Sequence, residues 1–236
     1  MLTKPIPPEL RTKMGTCRVD AELLRDAIEV ANPAQLEAIA RLLFVEGIPA
    51  AFKKFPLMYE HFRCALAEGL GVAPRDVSIT GSGRLGFSAA PDRWGKRLGT
   101  HSDLDVFVVS PQLHAGFIEA EESWLAANAA GASPGKLKNI RGFLRKLRNY
   151  GFGDAKYLNL GGHSDVRARV VAAMRGAYRC FDAHGWQPVA QKHRKNSKGL
   201  HLLNLRVYRD WQAVSVRMRH ELAAGRQARR EAATER

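Results

Sequence analysis

The fold is decided by VSITGSGRLGFS (residues 77–88) followed by SDLDVFVVS (residues 102–110). Val77 to Thr80 has strand composition and leads straight into a run of glycines. Gly81, Gly83 and Gly86 allow positive φ and close approach of backbone amides to an anion, and Ser82 and Ser88 add hydroxyl donors. Arg84 can bring positive charge to the same turn. Further on, Leu104 to Val109 is an apolar strand, with Asp103 and Asp105 two residues apart at its start. A strand repeats every two residues, so both carboxylates project from one face while Leu104 and Val106 face the other way. Adjacent carboxylates repel unless a cation lies between them. The pair therefore reads as a hard-metal site, of the kind Mg²⁺ fills together with substrate phosphates.

GSGRLG also satisfies the GxGxxG pattern of dinucleotide-binding folds. That pattern needs a helix directly after the glycines and an acid at the far end of the next strand. Pro91, Gly95 and Gly99 break the segment that would be that helix, and both aspartates open their strand instead of closing it. A Walker A loop is excluded because no Gly-Lys-Ser/Thr follows the glycines.

The combined motifs, preceded by a helix over about Pro56–Glu68, resemble the DNA polymerase β-like nucleotidyltransferase superfamily. The resemblance covers residues 55–110. It implies an α+β fold, a small mixed β-sheet nucleotidyltransferase core with N-terminal helices and a largely helical, basic C-terminal part. It also implies that Asp103 and Asp105 ligate Mg²⁺, with Mn²⁺ as a substitute, and that Gly81 and Ser82 hold the terminal phosphates of a nucleoside triphosphate. The full nucleotide-binding set expected is Gly81, Ser82, Arg84, Ser88 and Ser102.

Two features depart from that pattern. The span from Ser82 to Asp103 is long, as though Ala89–His101 were an inserted loop. It carries Arg93, Trp94, Lys96, Arg97 and His101, which fit either a cover over the nucleotide or a solvated excursion. Active members also carry a third acid on a later strand, and LLNLRVY (202–208) has no carboxylate. Asp154, after GFG and before KYLNL, is the candidate among Asp154, Asp165 and Asp182, with a turn or cap role as its alternative.

Around this core the pattern is helical. Asp20 can cap a helix with Leu23, Leu24, Ala27, Ile28 and Ala31 on one face, and Asn32-Pro33 starts a second that ends near Gly47. Gly69 suits the end of the third. Helices are expected at Ala115–Ala130, Leu137–Leu147 and Val166–His184, a strand at Leu200–Tyr208, and an amphipathic helix carrying Trp211, Val214, Met218 and Leu222. The tail from Gly225 has few apolar residues and reads as frayed or disordered.

Charge divides the chain at GASPG (131–135). Residues 1–135 hold 14 Lys and Arg against 16 Asp and Glu, while residues 136–236 hold 23 against 7. The basic part suits a polyanion such as RNA, or is solvated charge. QKHRKNSKG (191–199) fits either an acceptor's phosphates or a hairpin tip. Arg206, Tyr208 and Arg209 can stack on a base and bind triphosphate. His163, His184, His193 and His201 show no metal spacing.

Cys17, Cys64 and Cys180 are scattered and read as reduced, mostly buried thiols. No apolar run approaches the roughly 18 residues that span a bilayer. With no signal-peptide pattern at the N-terminus, the expectation is a cytoplasmic protein with no membrane partner. Two regions are expected, a helical arm plus nucleotidyltransferase core over 1–135 and a basic region over 136–236 that completes the core or binds acceptor. The expected function is Mg²⁺-dependent transfer of a nucleoside monophosphate from a nucleoside triphosphate to a hydroxyl of an RNA end, nucleotide, protein or small molecule. The alternative is a catalytically decayed nucleotide- or RNA-binding protein, or an antitoxin-like regulator, on the same fold.

Overall fold

Asp20 and Asn32 start the first two helices in the way their sequence positions predict. The structure, a computed structural model, describes residues 20–99, 102, 104–158, 165–183 and 203–234. Helix α1 (Ala21–Val30) begins where the Asp20 side chain accepts from Leu23 N at 2.8 Å. Helix α2 (Pro33–Phe44) opens with a reciprocal capping box between Asn32 and Gln35. Such caps satisfy amide groups that the first turn leaves orphaned, each contributing about 1 kcal/mol.

Helix α3 (Pro56–Leu70) runs past the expected stop at Gly69 and terminates at Gly71, whose φ of 66° supplies the left-handed cap. Gly69 has a different role: a Cβ there would stand 2.6 Å from the Ala173 Cβ. Its missing side chain lets α3 lie against α7 (Asp165–Ala183).

The remaining elements are β1 (Val77–Thr80), the one-turn α4 (Gly81–Leu85), β2 (Leu104–Val109), α5 (Pro111–Asn128), α6 (Pro134–Tyr150), β3 (Phe152–Asp154), β4 (Leu203–Tyr208) and α8 (Trp211–Thr234). Ser110 and Ser133 cap α5 and α6 through Leu113 N and Lys136 N, so both helices start earlier than apolar periodicity suggested. The strands form one mixed sheet in the order β1-β2-β4-β3. β1 is antiparallel to β2, β2 parallel to β4, and β3 antiparallel to β4. Two strands come from each side of the charge boundary at 131–135, so the sheet joins the acidic and basic parts of the chain.

Strand alternation gives the sheet two different faces. Val77, Ile79, Leu104, Val106, Val108, Leu205 and Val207 join a core with buried residues of α3, α5, α6 and α7. Phe107, Val109, Phe152 and Tyr208 point the other way, into a second core with α1, α2 and α8. Each fully buried Phe or Leu contributes about 1.5–3 kcal/mol. The result is a mostly helical α+β fold with the sheet as its middle layer.

One expectation fails on contacts distant in sequence and another on exposure. The tail from Gly225 is helical to Thr234, because Arg226 donates to the carbonyls of Ile28 and Ala31 at 3.1 and 2.9 Å and Arg230 pairs with Glu29. Those carbonyls belong to the exit of α1, where such groups lack helical partners. Cys64 is exposed, not buried. Cys17, residues 191–199, and His101, His163, His184, His193 and His201 lie outside the described residues, as do the first three residues expected of the β4 strand. Among the described residues no helix is long and apolar enough to cross a membrane.

Buried His114 ties α5 to α6 through Nε2, 3.1 Å from the Leu147 carbonyl oxygen. Burial lowers its pKa, against that hydrogen bond, while nearby Arg209 lowers and Asp210 raises it. On acidification the unfolded chain binds this proton first. The resulting contribution to stability is complete above the ordinary histidine value of about 6.5 and is lost as pH falls from there toward the folded-state value. Urea melts between pH 5 and 8 should show that decline, and His114→Gln should flatten it. An unchanged pH profile in the variant would discount His114 as the source.

Candidate functional site

The two motifs converge because β1 and β2 pair with Thr80 opposite Asp105. β1 ends at Thr80, and the chain turns at Gly81 with φ 63°. A Cβ at Gly81 would lie 2.6 Å from Asp105 Oδ2. Glycine is thus required by the left-handed backbone, and its missing side chain leaves the Asp105 carboxylate where it is. The glycines occupy one five-residue helix ending at Gly86, whose φ is 86°. The long helix needed by a dinucleotide fold does not follow.

A cavity of about 630 Å³ opens at this point. Gly81, Ser82 and Asp105 form one side, and Ser88, Arg93, Lys96, Arg97 and Ser102 another. Helix α8 adds Glu221 and Leu222, and α2 adds Phe44. Four of the five expected nucleotide contacts therefore share one cavity with Asp105. Asp103 lies outside the described residues.

Residues 89–99 form a wall of this cavity, held to the segment before them by backbone hydrogen bonds. Ser88 N donates to Lys96 O at 2.8 Å, Gly95 N to Ser88 O at 2.9 Å, and Leu98 N to Gly86 O at 2.8 Å. Trp94 anchors it by donating Nε1–H to Ala21 O at 3.1 Å. Arg93, Lys96 and Arg97 remain exposed along its rim. Ser88 Oγ and Ser102 Oγ each accept a backbone N–H, from Ala90 and Gly99, which leaves each O–H to donate toward an anion.

Arg84 is not at the phosphate position expected for it. Its side chain is buried and donates to the carbonyls of Leu43 and Gly47, both at 2.7 Å, fastening α4 to the end of α2. Burial lowers its pKa, but its hydrogen bonds are structural.

Asp154 likewise does not line the cavity. It sits on β3, in register with Arg206 of β4, and accepts from Arg206 Nε at 2.9 Å. Arg206 also donates to Glu221 at 3.2 Å and to the Tyr208 hydroxyl at 3.3 Å, and Arg217 reaches the same Glu221 oxygen at 2.9 Å. Burial works against the Arg206 charge. The Tyr208 hydroxyl, Asp154 and Glu221 more than offset it and hold the guanidinium above its ordinary value. Burial pushes the Tyr208 hydroxyl up to about 12 despite Arg206 beside it. These residues form a fixed network beneath the cavity, and Arg206 and Tyr208 are committed to it.

The acid that sequence reasoning missed is Glu221. In the sequence it reads as an ordinary helical partner of Arg217, and only the packing of α8 on the sheet brings it into the lining of the cavity that Asp105 also borders. On the strand next to β2, Asn204 is the Cα partner of Asp105.

Among the described residues no group of three His, Cys, Asp or Glu side chains is placed to hold a metal. Among the described residues of the lining, the side chains able to ligate a cation are oxygen donors, the Asp105 and Glu221 carboxylates and the serine hydroxyls, with no His or Cys. That donor set fits a hard divalent cation that takes most of its ligands from substrate and water. A second cleft, of about 640 Å³, lies between α3 and β1. Several of its polar side chains are bonded within the fold, Tyr59 to Ser78 and Arg63 to the carbonyls of Pro74 and Val77.

No protein-family model, curated protein or solved structure matches this chain. Its chemistry therefore rests on the site itself.

Gly81→Ala should cost roughly 1–2 kcal/mol from backbone strain alone, and more from the contact with Asp105. In an Asp105→Ala background the carboxylate is gone, so the same substitution should cost less. Urea melts of the four proteins measure this coupling. Additive costs would mean that Gly81 and Asp105 do not crowd one another.

Proposed function

We propose that this protein is a Mg²⁺-dependent nucleotidyltransferase that moves a nucleoside monophosphate from a nucleoside triphosphate onto a hydroxyl acceptor. The observation that carries this reading is the meeting of Asp105, Gly81, Ser82, Ser88 and Ser102 in one cavity with Arg93, Lys96 and Arg97 at its rim. The polymerase β-like motif pair predicted the first five, and a triphosphate needs the cations.

In this reading Gly81 keeps the wall thin enough for a phosphate to approach the backbone. The serine hydroxyls donate to phosphate oxygens, and the rim cations offset the remaining charge. Asp105, with Asp103 from the sequence motif, would hold the metal. Bound Mg²⁺ supplies positive charge that stabilises in-line displacement at the α-phosphorus. The acceptor oxygen forms a bond to that phosphorus, the bond to the bridging oxygen breaks, and pyrophosphate departs. The acceptor's proton passes to a carboxylate, for which Glu221, in the same cavity lining, is the candidate beyond the aspartate pair.

A second reading is favoured by its own observation. Glu221 and Asp154 are both ion-paired with arginine, and Asn204 is the register partner of Asp105. A third carboxylate tied to arginine is a weak base, which suits a nucleotide-binding protein with decayed transfer.

The test is incubation with each α-labelled nucleoside triphosphate, Mg²⁺ or Mn²⁺, and total RNA or protein. Label transfer should appear and fall by on the order of a hundredfold or more in Asp103→Ala and in Asp105→Ala. Nucleotide binding without transfer under either metal would sink the enzyme and leave the second reading.

A further inference from the structure

Helix α6 carries the most concentrated uncompensated charge in the described chain. Over residues 134–150 it has six basic residues, Lys136, Lys138, Arg141, Arg145, Lys146 and Arg148, and no acid. Its apolar residues Ile140, Phe143, Leu144 and Leu147 are buried in the core. Lys138, Arg141, Arg145 and Arg148 are exposed. Their spacing of three, four and three residues puts all four on the solvent face, in a line about 15 Å long.

Lys138, Arg141 and Arg145 form no ion pair among the described residues, and Arg148 pairs with Glu122 of α5. Two shallow clefts, of about 450 and 470 Å³, flank this line, and Arg141 and Arg145 border both.

Helix stability does not explain this arrangement. Like charges at helical neighbour positions repel. The helix dipole favours a cation in the last turn, which accounts for Arg148 but not for Lys138, Arg141 or Arg145. Lys136, in contrast, has a local reason, since its ammonium lies 4.3 Å from the centre of the Trp124 ring. Beyond the line, Tyr150 and Tyr157 are 63% and 42% exposed. Tyr157 is flanked by Lys146 and Lys156 at 5.9 and 5.1 Å.

We infer that the outer face of α6 binds the phosphodiester backbone of a single-stranded nucleic acid, with Lys138, Arg141, Arg145 and Arg148 on the phosphates and Tyr150 and Tyr157 offered to unpaired bases. A row of cations bordered by exposed aromatic rings matches a flexible strand, which carries repeating charge and stackable faces. A lipid surface is a poorer match. A helix lying on a membrane must offer its apolar side to it, and that side of α6 is inside the fold. Phosphate contacts favour arginine, and three of the four residues are arginine. This surface is separate from the candidate cavity, because α6 packs on the Val106 face of the sheet and the cavity opens on the Asp105 face. The inference does not rest on nucleotidyl transfer.

Fluorescence anisotropy with a labelled sixteen-nucleotide RNA, the same sequence as DNA, and the duplex tests it. The intact protein should bind single strands better than duplex and weaken steeply between about 50 and 200 mM salt. Arg141→Glu with Arg145→Glu should weaken binding at least tenfold and flatten the salt dependence by roughly one phosphate contact per residue. Arg141→Gln with Arg145→Gln should give a smaller loss in the same direction, and serves if the reversed charges prevent folding. Lys53→Glu with Lys54→Glu, at exposed lysines elsewhere, should leave binding within about twofold.

Unchanged binding in both α6 variants would overturn the inference, as would equal loss in the Lys53/Lys54 variant. Binding to phosphatidylserine vesicles without binding to any strand would also overturn it. The tighter of the RNA and DNA arms identifies the strand. Nucleotide affinity at the cavity, measured in parallel, should not change in the α6 variants.

Discussion

The parallel pairing of β2 with β4 is the constraint on which the rest of the architecture depends. Parallel strands cannot be joined by a tight turn, so the chain between residues 109 and 203 must cross over the sheet. That excursion supplies α5, α6 and α7, which cover one face, and β3, which closes the far edge. It also makes the sheet from both halves of a chain that divides sharply in charge. Once β4 leaves the sheet at Tyr208, Asp210 accepts from Ala213 N at 2.7 Å and starts α8 back across the opposite face. Glu221 and Leu222 reach the cavity by that route, and Arg226 and Arg230 reach α1. One strand pairing thereby fixes both the wall of the candidate site and the anchoring of the last helix.

The pairing of β3 with β4 explains why the polar side of the sheet is stable. Strand alternation puts Asp105, Arg206 and Asp154 on the face that also holds Phe107 and Tyr208. A polar row there would be costly unless each group found a partner. Arg206 resolves this by meeting Asp154, Glu221 and Tyr208 together. Removing the guanidinium would strand the Asp154 carboxylate and the buried Tyr208 hydroxyl, while Glu221 would keep Arg217, so the network holds its shape through mutual need more than through net attraction. Asp105 stands outside the Arg206 network and faces the cavity.

What could be read from sequence was local. Period-two alternation gave the strand at Leu104–Val109, and side chains that bond within three residues gave the starts of α1 and α2. The motif pair was legible because Gly81 and Asp105 each have an unusual residue requirement. What failed was set by contacts across the fold. Gly69 resembles a helix stop but is there to admit Ala173, 104 positions later in the same numbering. Arg84 sits in the glycine- and serine-rich motif yet bonds two carbonyls of the preceding helix and loop. The tail from Gly225 lacks apolar residues but is held by charge and carbonyl contacts to α1. Glu221 has no sequence signature because its neighbour Arg217 accounts for it.

These contacts also explain why positive charge serves two different ends in this chain. Arg84, Arg206 and Arg226 are tied by carbonyls and carboxylates, and each fastens one element to another. Arg93, Lys96 and Arg97 border the cavity, and Lys138, Arg141 and Arg145 line the outside of α6, where water is the alternative partner. A cation fixed by several acceptors loses little by staying in place, and it would lose all of them by moving to a ligand. A solvated cation gives up only weak interactions when a phosphate arrives. The excess of basic residues in the second half is therefore not one property. It divides into arginines that hold α8 to the rest of the fold and a row on α6 that stays exposed to solvent.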